Sequence, residues 1–300
     1  MLFRSNLRSV EIVLADGRVV TASSTANEDL FWAVRGAGAN FGVTTTFEFD
    51  LHPMGKILAG EIKYPHASLR DVLKLYREFN STIPDEVGIT ASLAPDHEGK
   101  QPPYAALTVA YFGDDFKVGE KVLKPLRDFR PVVSDTIEPR EYLWLQSLWK
   151  MAPDFRPRAV VRSNFLKDLS DAAIDVIVAQ SAKAPPGTGK FVMEYVHGKA
   201  TRVAPDAMAY PNRFAGYPCS LHADCTTAEQ ETVAEQWATA FWREMKPHLR
   251  SAVYSNYLAD EGSERARAAY GENYQRLTEL KRKYDPANFF SLNQNIPPAS

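Results

Sequence analysis

Residues Arg35-Gly36-Ala37-Gly38-Ala39-Asn40-Phe41-Gly42 place three glycines in eight positions, between a helical pattern and a strand pattern. Upstream, Leu30, Phe31, Ala33 and Val34 suit a short helix that Asn27 can cap. Downstream, Val43 to Leu51 alternates as a strand does, and His52-Pro53-Met54-Gly55 ends it. This order excludes two familiar phosphate-binding designs. No Gly-Lys-Ser/Thr follows, so the stretch is not a Walker loop. A Rossmann fingerprint opens a helix after a strand, whereas this one lies between a helix and a strand. Backbone N–H groups without side-chain obstruction suit the approach of a phosphate or a planar ring. Read as plain structure, the same residues are a helix C-cap and a tight turn.

The rest of the chain alternates strands with helices. Ser9 to Ser23 reads as a hairpin turned at Asp16-Gly17. Strand patterns cover 57–64, 87–93, 104–112, 132–138, 159–165, 190–196 and 220–225, with a polar, Pro-rich loop at 94–103. Helical patterns cover 68–79, 115–124, 142–149 and 171–181, the last stopped by Pro185-Pro186-Gly187. Thr227 and Gln230 form a capping-box pattern ahead of Val233, Trp237, Phe241 and Met245, spaced four apart. A helical region from 263 to 284 ends in Lys281-Arg282-Lys283, which suits the negative end of a helix dipole and reads as a solvated face. The expected class is α+β, an antiparallel sheet with helices on one side.

Composition narrows the partners. Hydrophobic residues make up 45% and charged residues 24%, the proportions of a folded domain, and the net charge of −2 gives no basic field for nucleic acid or an anionic membrane. No apolar run is long enough to span a bilayer. Residues 1–13 have no apolar central stretch of the kind a secretory leader needs. Cys219 and Cys225 sit about 20 Å apart in a straight strand at ~3.3 Å per residue, too far for a disulfide, and read as buried free thiols. No CxxC, HExxH or EF-hand pattern supports a metal.

Several motifs together resemble the berberine-bridge-enzyme-like family of FAD-linked oxidases. Asp29-Leu30-Phe31-Trp32-Ala33-Val34-Arg35-Gly36-Ala37-Gly38-Ala39-Asn40-Phe41-Gly42-Val43-Thr44 looks like the closing motif of its PCMH-type flavin domain, with Ala37 in place of the usual middle glycine. Glu141 to Gln146 and Arg162 to Leu166 look like landmarks of its substrate domain. The tail resembles its C-terminal signature in order and spacing. It runs Tyr254-x-Asn256-Tyr257, Tyr270-Gly271-Glu272-Asn273-Tyr274-x-Arg276-Leu277, Lys283-Tyr284-Asp285-Pro286-x-Asn288-x-Phe290 and Asn293-Gln294-x-Ile296-Pro297-Pro298. Asn288 and the two phenylalanines beside it are expected to lock the tail onto the flavin domain.

The resemblance implies a remnant of a PCMH-type FAD-binding domain at 1–54, a substrate domain with an antiparallel sheet backed by helices at 55–256, and a C-terminal segment at 257–300 returning to the first. It implies FAD as cofactor, lined by Gly36, Gly38, Asn40, Gly42, Val43 and Asn256, with the Ala37 methyl crowding it slightly. It implies hydride transfer from an alcohol, sugar or secondary-metabolite substrate to the flavin, with oxygen as acceptor. Tyr257 and Tyr254 are the implied catalytic residues, with Glu194 as base or as a tyrosine's assistant. Read without the family, the tyrosines pack with satisfied hydroxyls and Glu194 is an exposed strand carboxylate. His197 and His222 are lesser candidates. The family's pyrophosphate loop and its covalent His and Cys lie in a longer N-terminal half. This chain is therefore expected to be truncated, to carry no covalent FAD and to leave strands 9–23 and 43–51 short of sheet partners. A non-enzymatic substrate-binding domain without flavin is the alternative.

Overall fold

The computed structural model describes residues 5–94, 104–148, 150, 158–185, 189–258, 262–292 and 294–299. The loop expected at 94–103, Trp149, Pro186-Gly187 and Asn293 lie almost wholly outside them. The order of elements is β1 (Leu7–Val13), β2 (Val19–Ser23), α1 (Glu28–Ala37), β3 (Val43–Phe49), β4 (Lys56–Pro65), α2 (Leu69–Asn80), β5 (Val87–Ala94), β6 (Tyr104–Tyr111) and α3 (Phe116–Asp128). It continues with β7 (Ser134–Asp135), β8 (Glu138–Glu141), α4 (Tyr142–Ser147), β9 (Arg158–Phe165), α5 (Asp171–Ser181), β10 (Gly189–Glu194), β11 (Pro218–Cys225), α6 (Ala228–Met245), α7 (Ser263–Tyr270) and α8 (Tyr274–Tyr284). The expected α+β class holds. The strand expected at 132–138 is two short strands, and the helical region 263–284 is two helices parted at Gly271.

The chain divides into two compact units, and the division is not the linear one the sequence suggests. One unit joins residues 1–53, 197–215 and 251–300, and the other joins 54–196 and 216–250. The segments 197–215 and 251–256, expected in the middle domain, therefore belong with the ends of the chain.

The second unit is built on one sheet in the order β7–β4–β6–β5–β10–β11–β9, with β8 also on β4, all antiparallel. Register sets its two faces, because residues directly opposite each other share a face and chain neighbours do not. Ile62, Leu107, Ala91, Met193 and Cys219 form one cross-strand row. This face carries the core, packed with Leu73 and Tyr76 of α2, Leu123 of α3, Ile174 and Ile177 of α5, and Trp237 and Phe241 of α6. Burying a side chain of this kind is worth about 1.5–3 kcal/mol. Glu61, Thr108, Thr90 and Glu194 form the adjacent row and so point to the opposite face. On that face α4 packs Tyr142, Trp144 and Leu145 against Ile57, Ala59 and Ala110.

Local sequence explains much of this. The Thr227–Gln230 capping box forms as expected, with both reciprocal bonds made. The four-residue stripe of α6 does not hold throughout. Val233 is 53% exposed, and the buried set is Ala234, Trp237, Ala238, Phe241 and Met245, because a 3.6-residue turn drifts off a strict spacing of four. Asn27 precedes α1 but makes no side-chain cap; its backbone is left-handed and its amide donates to the Thr21 carbonyl instead. Cys219 and Cys225 are free and buried in β11, as expected.

In the first unit, β2–β1–β3 form a three-stranded sheet. Val10, Ile12 and Leu14 pack with Leu30, Phe31 and Ala33 of α1, with Ala209, and with Leu277, Leu280 and Tyr284 of α8. The outer strand β3 leaves Val43 and Phe47 more than half exposed, at 58% and 55%. Lys281 corrects the reading of the basic run as a solvated face. It is fully buried, and its ammonium donates to Asp285 at 2.6 Å, to the Asn40 carbonyl at 2.7 Å and to the Phe290 carbonyl at 2.9 Å. The tail lock is this ion pair, since Phe289 is 70% exposed.

Candidate active site

The first unit holds a cleft of about 480 Å³, walled by residues 36–40, by Ser255, Asn256 and Leu258, and by Val34, Tyr270 and Gln294. Gly36, Gly38, Asn40 and Asn256 line it. Gly42 and Val43 do not. A Cβ on Gly42 would come within 2.4 Å of the Val13 carbonyl, so this glycine serves contact with β1. Val43 pairs with Val13 in the sheet. Ala37 contributes to the wall, but the residue is buried in the core around α1.

Gly36 is required by the segment 197–215. A Cβ there would lie 2.4 Å from the Tyr210 amide nitrogen. The Tyr210 amide donates to the Arg35 carbonyl and the Ala209 amide to the Trp32 carbonyl, so this segment docks backbone to backbone along the end of α1. Asn273 completes the dock, with its amide donating to the carbonyls of Pro205 and Met208. Arg35 donates to the Phe31 and Ala207 carbonyls, and burial, then the Arg213 charge, lowers its pKa.

One buried network ties the walls together. The Asn40 side chain accepts from the Ile296 amide at 2.9 Å, and the Asn40 carbonyl accepts from Lys281. The Gln294 amide group donates to the Leu258 carbonyl at 2.9 Å. Burial alone would raise the Asp285 carboxyl. The Lys281 ammonium and the amides of Phe290 and Phe289 outweigh that and hold it below the usual carboxylate range.

Beside the cleft the two expected tyrosines come together. The Tyr254 and Tyr257 rings meet edge to face at 4.9 Å, and Tyr210 meets Tyr254 edge to face at 5.7 Å. The Arg213 guanidinium lies 5.1 Å from the centre of the Tyr210 ring. The Asn212 side chain donates to the Val253 carbonyl at 2.8 Å, fixing the backbone just ahead of Tyr254. Asn256 donates to the Tyr254 hydroxyl at 3.1 Å. Tyr210, Asn212 and Arg213 were not legible in the sequence. They lie in a Pro- and Ala-rich stretch without periodicity, and only the fold brings them to Tyr254.

Glu194 lies in the second unit. It is half-buried, on the sheet face away from the core helices, in the row with Thr90, Thr108 and Glu61. Strand alternation sends Tyr195 to the core side, against Tyr217 at 4.9 Å. On the Glu194 face His222 stands opposite Lys190, with its Nε2 2.8 Å from the Ser220 hydroxyl. Burial, then the Lys190 charge, lowers the His222 pKa, which favours neutral imidazole. His197 lies three residues beyond the end of β10, in the first unit, and precedes a 3₁₀ turn. Burial pushes the Cys219 thiol up to about 12, so that sulfur is no nucleophile. Among the described residues no group of His, Cys, Asp and Glu could hold a metal ion, and no helix is long and apolar enough to cross a membrane.

Residues 253–297, which carry the tyrosine pair and the buried ion pair, match the domain family described as berberine and berberine like. An FAD-linked oxidoreductase of Dictyostelium discoideum is 27% identical over 301 residues; the alignment covers 99% of this chain and 64% of that protein. The fold is that of BBE-like 1 from Physcomitrella patens, with a TM-score of 0.87 at 21% identity over 99% of this chain and 66% of that one. It is also that of 6-hydroxy-D-nicotine oxidase from Arthrobacter nicotinovorans, with a TM-score of 0.83 at 25% identity over 99% of this chain and 67% of that one. The α+β fold thus matches that of PCMH-type flavoprotein structures. The chain is similar to the berberine-bridge-enzyme-like FAD-linked oxidoreductases, matches their domain model over residues 253–297, and spans about two thirds of the length of these relatives.

Proposed function

We propose that this chain acts in an FAD-dependent oxidase, with the cleft at Gly36–Asn40 as part of the cofactor site. The observation that carries the reading is the cleft wall. Gly38 faces open space, where an added Cβ would meet only the Val34 Cβ at 3.8 Å. Bare backbone here, with Asn40, Ser255, Asn256 and Gln294 as polar neighbours, fits the flat edge of a ring that carries hydrogen-bonding atoms. Bound flavin would supply a hydride acceptor that dioxygen can reoxidise, and the protein would supply orientation and proton transfer. Gly36, Gly38, Asn40 and Asn256 would hold the cofactor. Gly42 would set the strand that follows, and Val43 would stand beyond the cleft.

The substrate in this reading is a small alcohol, sugar or secondary metabolite. Tyr254 takes its proton, a role assigned to it ahead of Tyr257 because its hydroxyl has a fixed amide donor. Glu194, on the open face of the second unit's sheet, is the other candidate base. A leucine at Gly38 tests the cleft. The backbone there is ordinary right-handed helix, so the fold should survive, with an unchanged unfolding midpoint. FAD affinity, read by quenching of flavin fluorescence, should fall at least about tenfold, the equivalent of ~1.4 kcal/mol. Unchanged affinity would remove the cleft from the cofactor site.

A further inference from the structure

The Asn256 amide reaches the Tyr254 phenol from the cleft wall, and the surroundings leave that phenol little freedom. Two rings meet Tyr254 edge to face, Tyr210 at 77° and Tyr257 at 75°, which resists rotation of its ring. Asn212 pins the carbonyl of the preceding residue. The phenol oxygen is the remaining variable, and Asn256 donates to it at 3.1 Å. A phenol has one proton to give and two lone pairs to receive with. An amide donor occupying a lone pair turns the phenol's own proton elsewhere. It also binds more strongly once that proton has left, because hydrogen bonds to a charged oxygen are about twice as strong as those to a neutral one. A base must enter the step as phenolate, so this contact favours the form of Tyr254 that can take a proton and holds its oxygen in place.

We infer that Asn256 is a positioning residue for Tyr254, holding its hydroxyl for proton abstraction from the substrate, in addition to forming part of the cleft wall. The inference rests on the reading of Tyr254 as the base. Asn256→Asp keeps the size and shape of the side chain and, ionised, cannot donate; Asn256→Ala removes the side chain. Both variants are compared with the parent chain and with Tyr254→Phe, using protein labelled with ¹³C at tyrosine Cζ. The Tyr254 resonance is assigned by its loss in Tyr254→Phe. It should move in both Asn256 variants without any ligand present. At saturating FAD, both should reduce flavin roughly tenfold or more slowly, with the substrate KM little changed. An unmoved Cζ resonance, or lowered FAD affinity with the parent rate at saturation, would overturn the inference and leave Asn256 as cleft wall alone. If the resonance moves but Tyr254→Phe reduces flavin at the parent rate, the hydrogen bond stands and the base assignment fails, taking the positioning role with it.

Discussion

Replacing Lys281 by methionine should destabilise the first unit by about 3–5 kcal/mol, the usual cost of stranding one partner of a buried ion pair. The substitution keeps much of the side chain's length and removes its charge. It leaves Asp285 fully buried with only the Phe289 and Phe290 amides to satisfy it, and it leaves the Asn40 and Phe290 carbonyls without their shared donor. Urea unfolding measures the loss. The site should also respond to pH. Because the Asp285 carboxyl is held below its usual range in the folded chain, its contribution to stability is present above the unfolded carboxylate pKa and is lost as pH falls through the lower folded value. The parent should therefore lose stability in acid by more than Lys281→Met, in which only the Phe289 and Phe290 amides still hold that carboxyl down. Equal acid sensitivity would show that the pair contributes little.

The second large effect falls on Tyr254. Tyr254→Phe keeps the ring and its edge contacts with Tyr210 and Tyr257 and removes only the hydroxyl. Flavin reduction by substrate should slow roughly 10²–10⁴-fold, the usual share of general-base catalysis, while flavin content stays the same. Stopped-flow reduction under anaerobic conditions reads the step directly. Tyr257→Phe, which keeps its ring against Tyr254, should slow it less. A large loss with Tyr257→Phe or Glu194→Gln, and none with Tyr254→Phe, would move the base to that residue.

Much of the architecture was legible because it is written in short range. The alternation in β4, β5 and β10 gave the sheet, the Thr227 capping box gave the start of α6, and strand alternation separated Glu194 from Tyr195. What escaped depends on contacts across the sequence. Lys281 looked solvated within Lys281-Arg282-Lys283, and only its partners at Asn40 and Phe290 reveal that it is buried. The segment 197–215 joins the first unit by backbone bonds to Trp32 and Arg35, which no side-chain pattern announces. Gly36 and Gly42 read alike, as ring-facing glycines. Only Gly36 lines the cleft, and both spare room for neighbouring backbone, at Tyr210 and at Val13.

The most direct test of the account is to titrate the 300-residue chain, labelled with ¹⁵N, with FAD and to follow its backbone amides. The account predicts saturable, non-covalent binding that shifts Gly36, Gly38, Asn40 and Asn256 together, with no flavin mass on the denatured protein. Shifts confined to other residues, or none at all, would contradict it.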